Sequence, residues 1–183
     1  MVRPEEARRT GGMPTAPDRP WSCLGSSLWL RPLDDRDIPR LRAFLRRSDV
    51  LRAGNTAARL RPGDPKRLTL SAAPGVALVA TDPLGAPAGV FHLREDRSGR
   101  QVVISFAVPR GEPEGLRECL RLLAVLLPAR TRALRMTVSG LAAEKEAGRA
   151  LSAAGWKREG SGEWSRDLPA RISSEEAPAS HAG

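Results

Sequence analysis

Residues 101–140 read QVVISFAVPRGEPEGLRECLRLLAVLLPARTRALRMTVSG, and their reading decides the fold. Residues 101–108 form a β-branched and aromatic run of strand length, and 110–115 (RGEPEG) read as a tight turn opening into a helix. Over 116–127 the apolar residues Leu116, Cys119, Leu120, Leu123 and Leu127 recur on one helical face, with Pro113 where a first turn tolerates it. Pro128 is the expected end of that helix, and 132–139 (RALRMTVS) read as a second strand. A strand, crossover helix and strand of this length make a right-handed parallel pair, with the turn at the helix N-terminus as the candidate ligand site.

The rest of the chain arranges itself around that unit. Toward the N-terminus, 76–81 (VALVAT) and 88–93 (AGVFHL) are short strands joined by the turn-rich 82–87, which predicts an antiparallel hairpin leading into the central strand. Residues 28–33 (LWLRPL) read as a first strand, and Asp34, Asp35 and Asp37 supply first-turn carboxylates to a helix with apolar positions Ile38, Leu41, Phe44 and Leu45. Residues 46–74, with Pro-Gly-Asp-Pro at 62–65, predict a loop and a short second helix; Asp49, Asn55 and Arg59 are solvated-loop or substrate-side residues there. Toward the C-terminus, Ala147, Ala150, Leu151 and Ala154 define a helix capped by Gly155, and 157–166 close the sheet as a hairpin through a Gly-rich turn. The expected organisation is one α/β (α+β) domain over 27–168, between disordered tails at 1–26 and 169–183.

This order of elements resembles the GCN5-related N-acetyltransferase (GNAT) superfamily, whose central motif, Gln/Arg-x-x-Gly-x-Gly/Ala, lies between the fourth strand and the following helix. Arg110 and Gly115 match it in identity and spacing, whereas Pro113 stands where the first Gly belongs. The segment AGRALSAAGWKREG at 147–160 is similar to the GNAT C-terminal pattern of a helix ending in Gly, then an aromatic residue and a basic strand. The resemblance implies a mixed, mostly antiparallel sheet with a splayed parallel pair. It also implies acetyl-CoA or another acyl-CoA as co-substrate, with Phe106, Ala107 and Val108 holding pantetheine and Arg110, Gly111, Gly115 and Leu116 facing the pyrophosphate.

Departures from the family pattern bear on chemistry. Pro113 removes an N–H donor, and Glu112 and Glu114 bring negative charge to the expected phosphate site, so weak CoA binding or none is expected; Arg110 and Arg117 offset part of that charge. The position of the family's thiolate-protonating Tyr is Leu151, and the chain contains 0 Tyr. Glu144 replaces the Asn that commonly precedes that helix. The candidate acid-base residues are His92, which alternates with Phe91 and Leu93 on a strand, Ser105, the polar residue inside the central strand, and Glu95 at a strand mouth. Each has a plain structural alternative: a satisfied core His, a strand-interior hydroxyl, and a charged turn with Arg94, Asp96 and Arg97.

The totals bound the remaining classes. No segment has the apolar length of a membrane span and the N-terminus lacks an apolar signal core, so a cytoplasmic protein without a membrane partner is expected. Cys23 and Cys119 read as reduced thiols, and 2 His and 2 Cys at unrelated spacings predict no metal site. The net charge of +9 rests on scattered Arg, a pattern that GC-rich bacterial coding produces. Without a helix-turn-helix, zinc finger or aromatic-basic interleaving it argues against a nucleic-acid partner. No Gly-x-Ser-x-Gly elbow and no phosphate loop ending in Gly-Lys-Ser/Thr is present. Two readings follow. One is an acyltransferase moving an acetyl or acyl group from CoA to an amine of a small molecule, the other a CoA-independent GNAT-fold binding protein or repurposed biosynthetic enzyme. A homodimer stays open in both.

Overall fold

Strand β8, Gln101–Pro109, is the axis of the molecule, because three other strands pair with it. The computed structural model describes residues 21–54, 59–60, 68–69, 75–141 and 145–169. In chain order the remaining elements are β1 (Cys23–Leu24), β2 (Trp29–Pro32), α1 (Ile38–Arg46), β3 (Val50–Ala53), β4 (Arg59–Leu60), β5 (Leu68–Thr69), β6 (Val76–Thr81) and β7 (Pro87–Glu95). After β8 come α2 (Pro113–Arg130), β9 (Arg135–Val138), α3 (Lys145–Ala153), β10 (Lys157–Arg158) and β11 (Trp164–Asp167).

The main sheet runs β1-β2-β6-β7-β8-β9-β11-β10, with β3 joined to β8 as a branch, and β4 pairs with β5 apart from it. Every pairing is antiparallel except β8 with β9, which are parallel and connected by α2, as a crossover of this length requires. The fold class is therefore the expected one, a mixed and mostly antiparallel sheet flanked by helices with one parallel pair.

Alternation along β8 sorts the core into two layers. Val102, Ile104, Phe106 and Val108 join Phe91 and Leu93 of β7 against Leu116, Leu120, Leu123 and Leu127 of α2 and Ala150 and Leu151 of α3. On the other face Ala107, Val79 and Val90 pack under Leu41, Phe44 and Leu45 of α1. A 3-10 turn over Asp35–Asp37 leads into α1 and carries the cap: Asp34 accepts from the Arg36 N–H at 2.9 Å, and Asp37 accepts from the Asp34 N–H at 2.9 Å. Gly155, at φ +79°, closes α3, with the Trp156 N–H reaching back to the Leu151 carbonyl at 3.0 Å.

Three expectations change. Residues 21–26, assigned to the N-terminal tail, carry β1 paired to β2, and Glu118 of α2 accepts from the Ser27 N–H at 2.9 Å. Helix α2 continues through Pro128 to Arg130, since a proline this near the C-terminus removes one ladder bond while the Thr131 N–H still bonds Leu127 at 2.8 Å. Within 46–74, the described part contains strands β3, β4 and β5; the predicted second helix otherwise falls on residues outside the described set.

Candidate active site

The parallel pair parts soon after it begins. Strands β8 and β9 are in register at Gln101↔Arg135, Val102↔Met136 and Val103↔Thr137, and no further. On the same edge of β8 the vacated length is taken by β3, antiparallel, with Val50↔Pro109, Leu51↔Val108, Arg52↔Ala107 and Ala53↔Phe106. The Arg110 N–H donates to the Asp49 carbonyl at 2.5 Å, and the Gly54 N–H to the Ser139 carbonyl at 2.8 Å, so β3 is tied to both sides of the gap.

Strand alternation says which backbone groups face that gap. The Asp96 N–H donates to the Gln101 carbonyl on the β7 side at 2.8 Å, so the odd residues of β8 address β7 and the even ones address the β9 and β3 side. Phe106 and Val108 are therefore the residues whose amides point into the splay, the role that the GNAT resemblance gives them for pantetheine. In this fold they form the Ala53/Phe106 and Leu51/Val108 pairs of the β3 ladder. Ala107 addresses β7, where it pairs with Val90.

The turn beyond β8 is equally closed. Gly111 adopts φ +87°, and α2 starts with Pro113 after Glu112, whose side chain makes no capping bond. Glu114 is ion-paired with Arg117. Glu146, from the first turn of α3, comes to the same place as Arg110, Glu112 and Leu116, and the space left among them is about 10 Å³, room for about one water. A Cβ on Gly115 would meet only Leu28 Cδ1, at 3.9 Å, so this glycine is not held by a close approach. Acyl-CoA, the group that the fold resemblance implies, does not fit these residues as they stand. Its pantetheine edge is taken by β3, Pro113 offers no N–H, and Glu112 and Glu146 stand with Arg110 at the phosphate turn.

The candidate catalytic residues divide. His92 and Ser105 are directly opposed across β7 and β8 and are buried, at 6% and 7% exposure. Burial pushes the His92 imidazole below its ordinary value, with Arg94 adding to the effect, so it is neutral at physiological pH and able to accept a proton. Glu95 lies three residues further along β7, about 10 Å away and on the opposite face, and is exposed. The structure thus brings together His92 and Ser105 and leaves Glu95 out.

Further polar residues extend this pair. Thr137 of β9 and Ser165 of β11 are buried and mutually paired, Gln101 Nε2 donates to Thr137 Oγ1 at 2.8 Å, and Ser165 Oγ donates to Glu159. Since Thr137 is opposite Val103, which shares its face with Ser105, these groups form a polar row on the sheet face away from α2 and α3. Two glycines cover its first members. A Cβ on Gly54 would collide with the Ser105 side chain, and one on Gly75 would stand 2.7 Å from His92 Nε2. The sequence signal for Thr137 and Ser165 is weak, a single hydroxyl at an inward position of a four-residue strand in each case. Among the described residues no group of three or more His, Cys, Asp or Glu could hold a metal ion, and no helix is long and apolar enough to cross a membrane.

No protein-family model matches the chain, and no curated protein matches it. Solved structures do. An acetyltransferase of the GNAT family from Bacillus anthracis aligns with TM-score 0.62 and 10% identity over 80% of this chain and 98% of that one. An acetyltransferase from Salmonella typhimurium that modifies the N-terminal serine of the 50S ribosomal protein L7/L12 aligns with TM-score 0.57 and 11% identity, over 79% and 97%. A ribosomal L7/L12 alpha-N-protein acetyltransferase in complex with coenzyme A gives TM-score 0.57 and 11% identity, over 80% and 97%. With its element order, its sheet order and the parting of β8 from β9, this chain has the GNAT fold.

Proposed function

We propose that this chain is a GNAT-fold protein that works without acyl-CoA and binds a small metabolite on the polar sheet face of His92, Ser105 and Thr137. The observation that carries the reading is the β3 ladder. Phe106 and Val108, the residues whose amides face the splay, are paired with Val50–Ala53 of the same chain. Pro113 and the carboxylates of Glu112 and Glu146 act in the same direction, because a pyrophosphate at that turn would lose a donor and meet like charge. On the polar face, neutral His92 beside Ser105 can hold a hydroxyl or amine by accepting its hydrogen bond.

A second reading is an acyltransferase serving a small-molecule amine, in which β3 leaves β8 before acyl-CoA enters. It is favoured by the shortness of β3, 4 residues, and by the splay itself, which presents an edge shaped for one extended amide chain. The acetyltransferase activities of the structural neighbours lend it support at the level of fold.

Calorimetric titration with acetyl-CoA and with free CoA, on the wild type and on Ala53→Pro, separates the two. The CoA-independent reading predicts no saturable heat at about 1 mM in either protein, a free energy weaker than about −4 kcal/mol. Binding by Ala53→Pro that is at least about tenfold tighter than by the wild type would establish the second reading, because unpairing β3 raises the competent fraction. Binding near 100 μM by the wild type itself would sink the first.

A further inference from the structure

A concavity with room for a small molecule lies away from the splay. It lies at the other end of α2, about 27 Å from the phosphate turn as the helix runs, between the β7–β8 turn and the link from α2 to β9. Its volume is about 640 Å³, within the range of small-molecule sites. Glu95, Ser98 and Arg100 line one side, and Arg130, Thr131, Arg132 and Leu134 the other.

Charge tells what this cleft accepts. Arg100, Arg130 and Arg132 all line it and are exposed, and among the described residues none of the three guanidinium groups has a hydrogen-bond or ion-pair partner. Asp96 lies outside the lining, held in the β7–β8 turn by Ser98 Oγ at 2.8 Å and the Gln101 N–H at 3.2 Å, so Glu95 is the single acid among the lining residues. The last carbonyls of α2 carry partial negative charge, but Thr131 covers Leu127 O through its N–H at 2.8 Å and its hydroxyl at 3.1 Å. Three planar forks against one carboxylate suit a dianion with several acceptor oxygens, and the exposed Leu134 side chain adds an apolar wall for the body that carries it.

We propose that this cleft is a binding site for a phosphorylated small molecule, with Arg100, Arg130 and Arg132 gripping the phosphate oxygens and Leu134 packing on the remainder. The site is separate from the splay and does not depend on whether the splay admits acyl-CoA.

The test is calorimetric titration of the full chain with inorganic pyrophosphate at ~50 mM and ~150 mM salt. The expected result is saturable binding with a Kd of about 1 mM or tighter at the lower salt. It should weaken at least about tenfold in Arg100→Gln/Arg132→Gln and be unchanged in Arg158→Gln, a surface arginine remote in sequence from the cleft. Thermal melts of the double variant matching the wild type within a few degrees confirm that folding is intact. The proposal is overturned by absence of saturable heat, by equal loss in Arg158→Gln, or by loss in Arg110→Gln alone, which would put the pyrophosphate at the turn after β8. It is also overturned if a single-stranded RNA oligonucleotide binds more tightly than pyrophosphate through the same arginines with a steep salt dependence, the mark of a nucleic-acid surface.

Discussion

Ala53 of β3 stands opposite Phe106 of β8, and by strand alternation their amides bond to each other across the gap where β9 has turned away. The next pair on that edge is Leu51 with Val108, whereas Ser105 and Ala107 address His92 and Val90 of β7. The two edges of β8 can therefore be tested independently by amide hydrogen exchange. In the wild type all four amides should be protected. In Ala53→Pro, which removes a ladder donor, Phe106 and Val108 should exchange at least about tenfold faster while Ser105 and Ala107 keep their protection. Unchanged protection at Phe106 and Val108 would mean that β3 does not hold that edge in solution.

His92 makes a prediction about pH. Its folded-state value lies below the ordinary one because burial, and then Arg94, disfavour the imidazolium. The native state thus binds fewer protons than the unfolded chain in the window just below about 6.5. Stability is present in full above that pH and is lost as pH falls toward the folded value. Thermal melts from pH 7.5 down to pH 5.5 should show a falling Tm, and His92→Gln should flatten that slope. The other histidine, His181, lies outside the described residues. An equal slope in wild type and variant would place the titration elsewhere.

Most of the scaffold was legible because its signals are local. The strand at 101–108, the amphipathic stripe Leu116, Cys119, Leu120, Leu123 and Leu127, and the strand holding Met136 and Val138 each follow from a period of two or 3.6 residues. The expected apolar positions of α1 are the buried ones, and Gly155 ends α3 as its position implied. Strand β3 was not legible. Val50-Leu51-Arg52-Ala53 is too short for a periodic signal, and it becomes a strand only because β8 has an unpaired edge some fifty residues later in the chain. The same holds for the site. His92 and Ser105 each stand out in sequence as a polar residue in an apolar strand, but their opposition depends on the register of β7 with β8. Arg100, Arg130 and Arg132 are scattered charges in sequence, and only the length of α2 brings the turn before β8 beside the exit from the helix.

The two thiols should differ sharply in reactivity. Cys119 is 1% exposed on the core face of α2, and its thiol is pushed up to about 12, by burial first and then by neighbouring Glu118. Cys23, half-buried on the two-residue strand β1, is raised by burial as well but keeps a path to solvent. Since the thiolate is the nucleophile, iodoacetamide at pH 8 should modify Cys23 slowly in the native protein and reach Cys119 only in denaturant, as read by intact mass. Rapid native labelling at Cys119 would contradict the packing of α2 against the sheet.

The Arg31–Asp37 pair is where β2 is fastened to α1, and it should be the most consequential ion pair described. Arg31 donates from both terminal nitrogens, Nη1 to Asp37 Oδ2 and Nη2 to Asp37 Oδ1, each at 2.7 Å, with both side chains largely covered. Asp37 also accepts from the Asp34 N–H at 2.9 Å, so one carboxylate serves the ion pair and the cap of the 3-10 turn that leads into α1. Burial alone would raise its value, but the hydrogen bonds from Arg31 and Asp34 prevail and hold it below the ordinary carboxylate range. The resulting stabilisation is present above about pH 4 and is lost as pH falls through the folded value. Replacing Asp37 by Ala removes the cap and leaves a covered guanidinium without its partner, which should cost about 2–3 kcal/mol in urea denaturation with an unchanged m-value. Asp37→Asn, which keeps an acceptor for the Asp34 N–H, should cost less. A loss below about 0.5 kcal/mol in Asp37→Ala would show that the pair is only a surface contact and that apolar packing of Leu41, Phe44 and Leu45 alone holds α1 to the sheet.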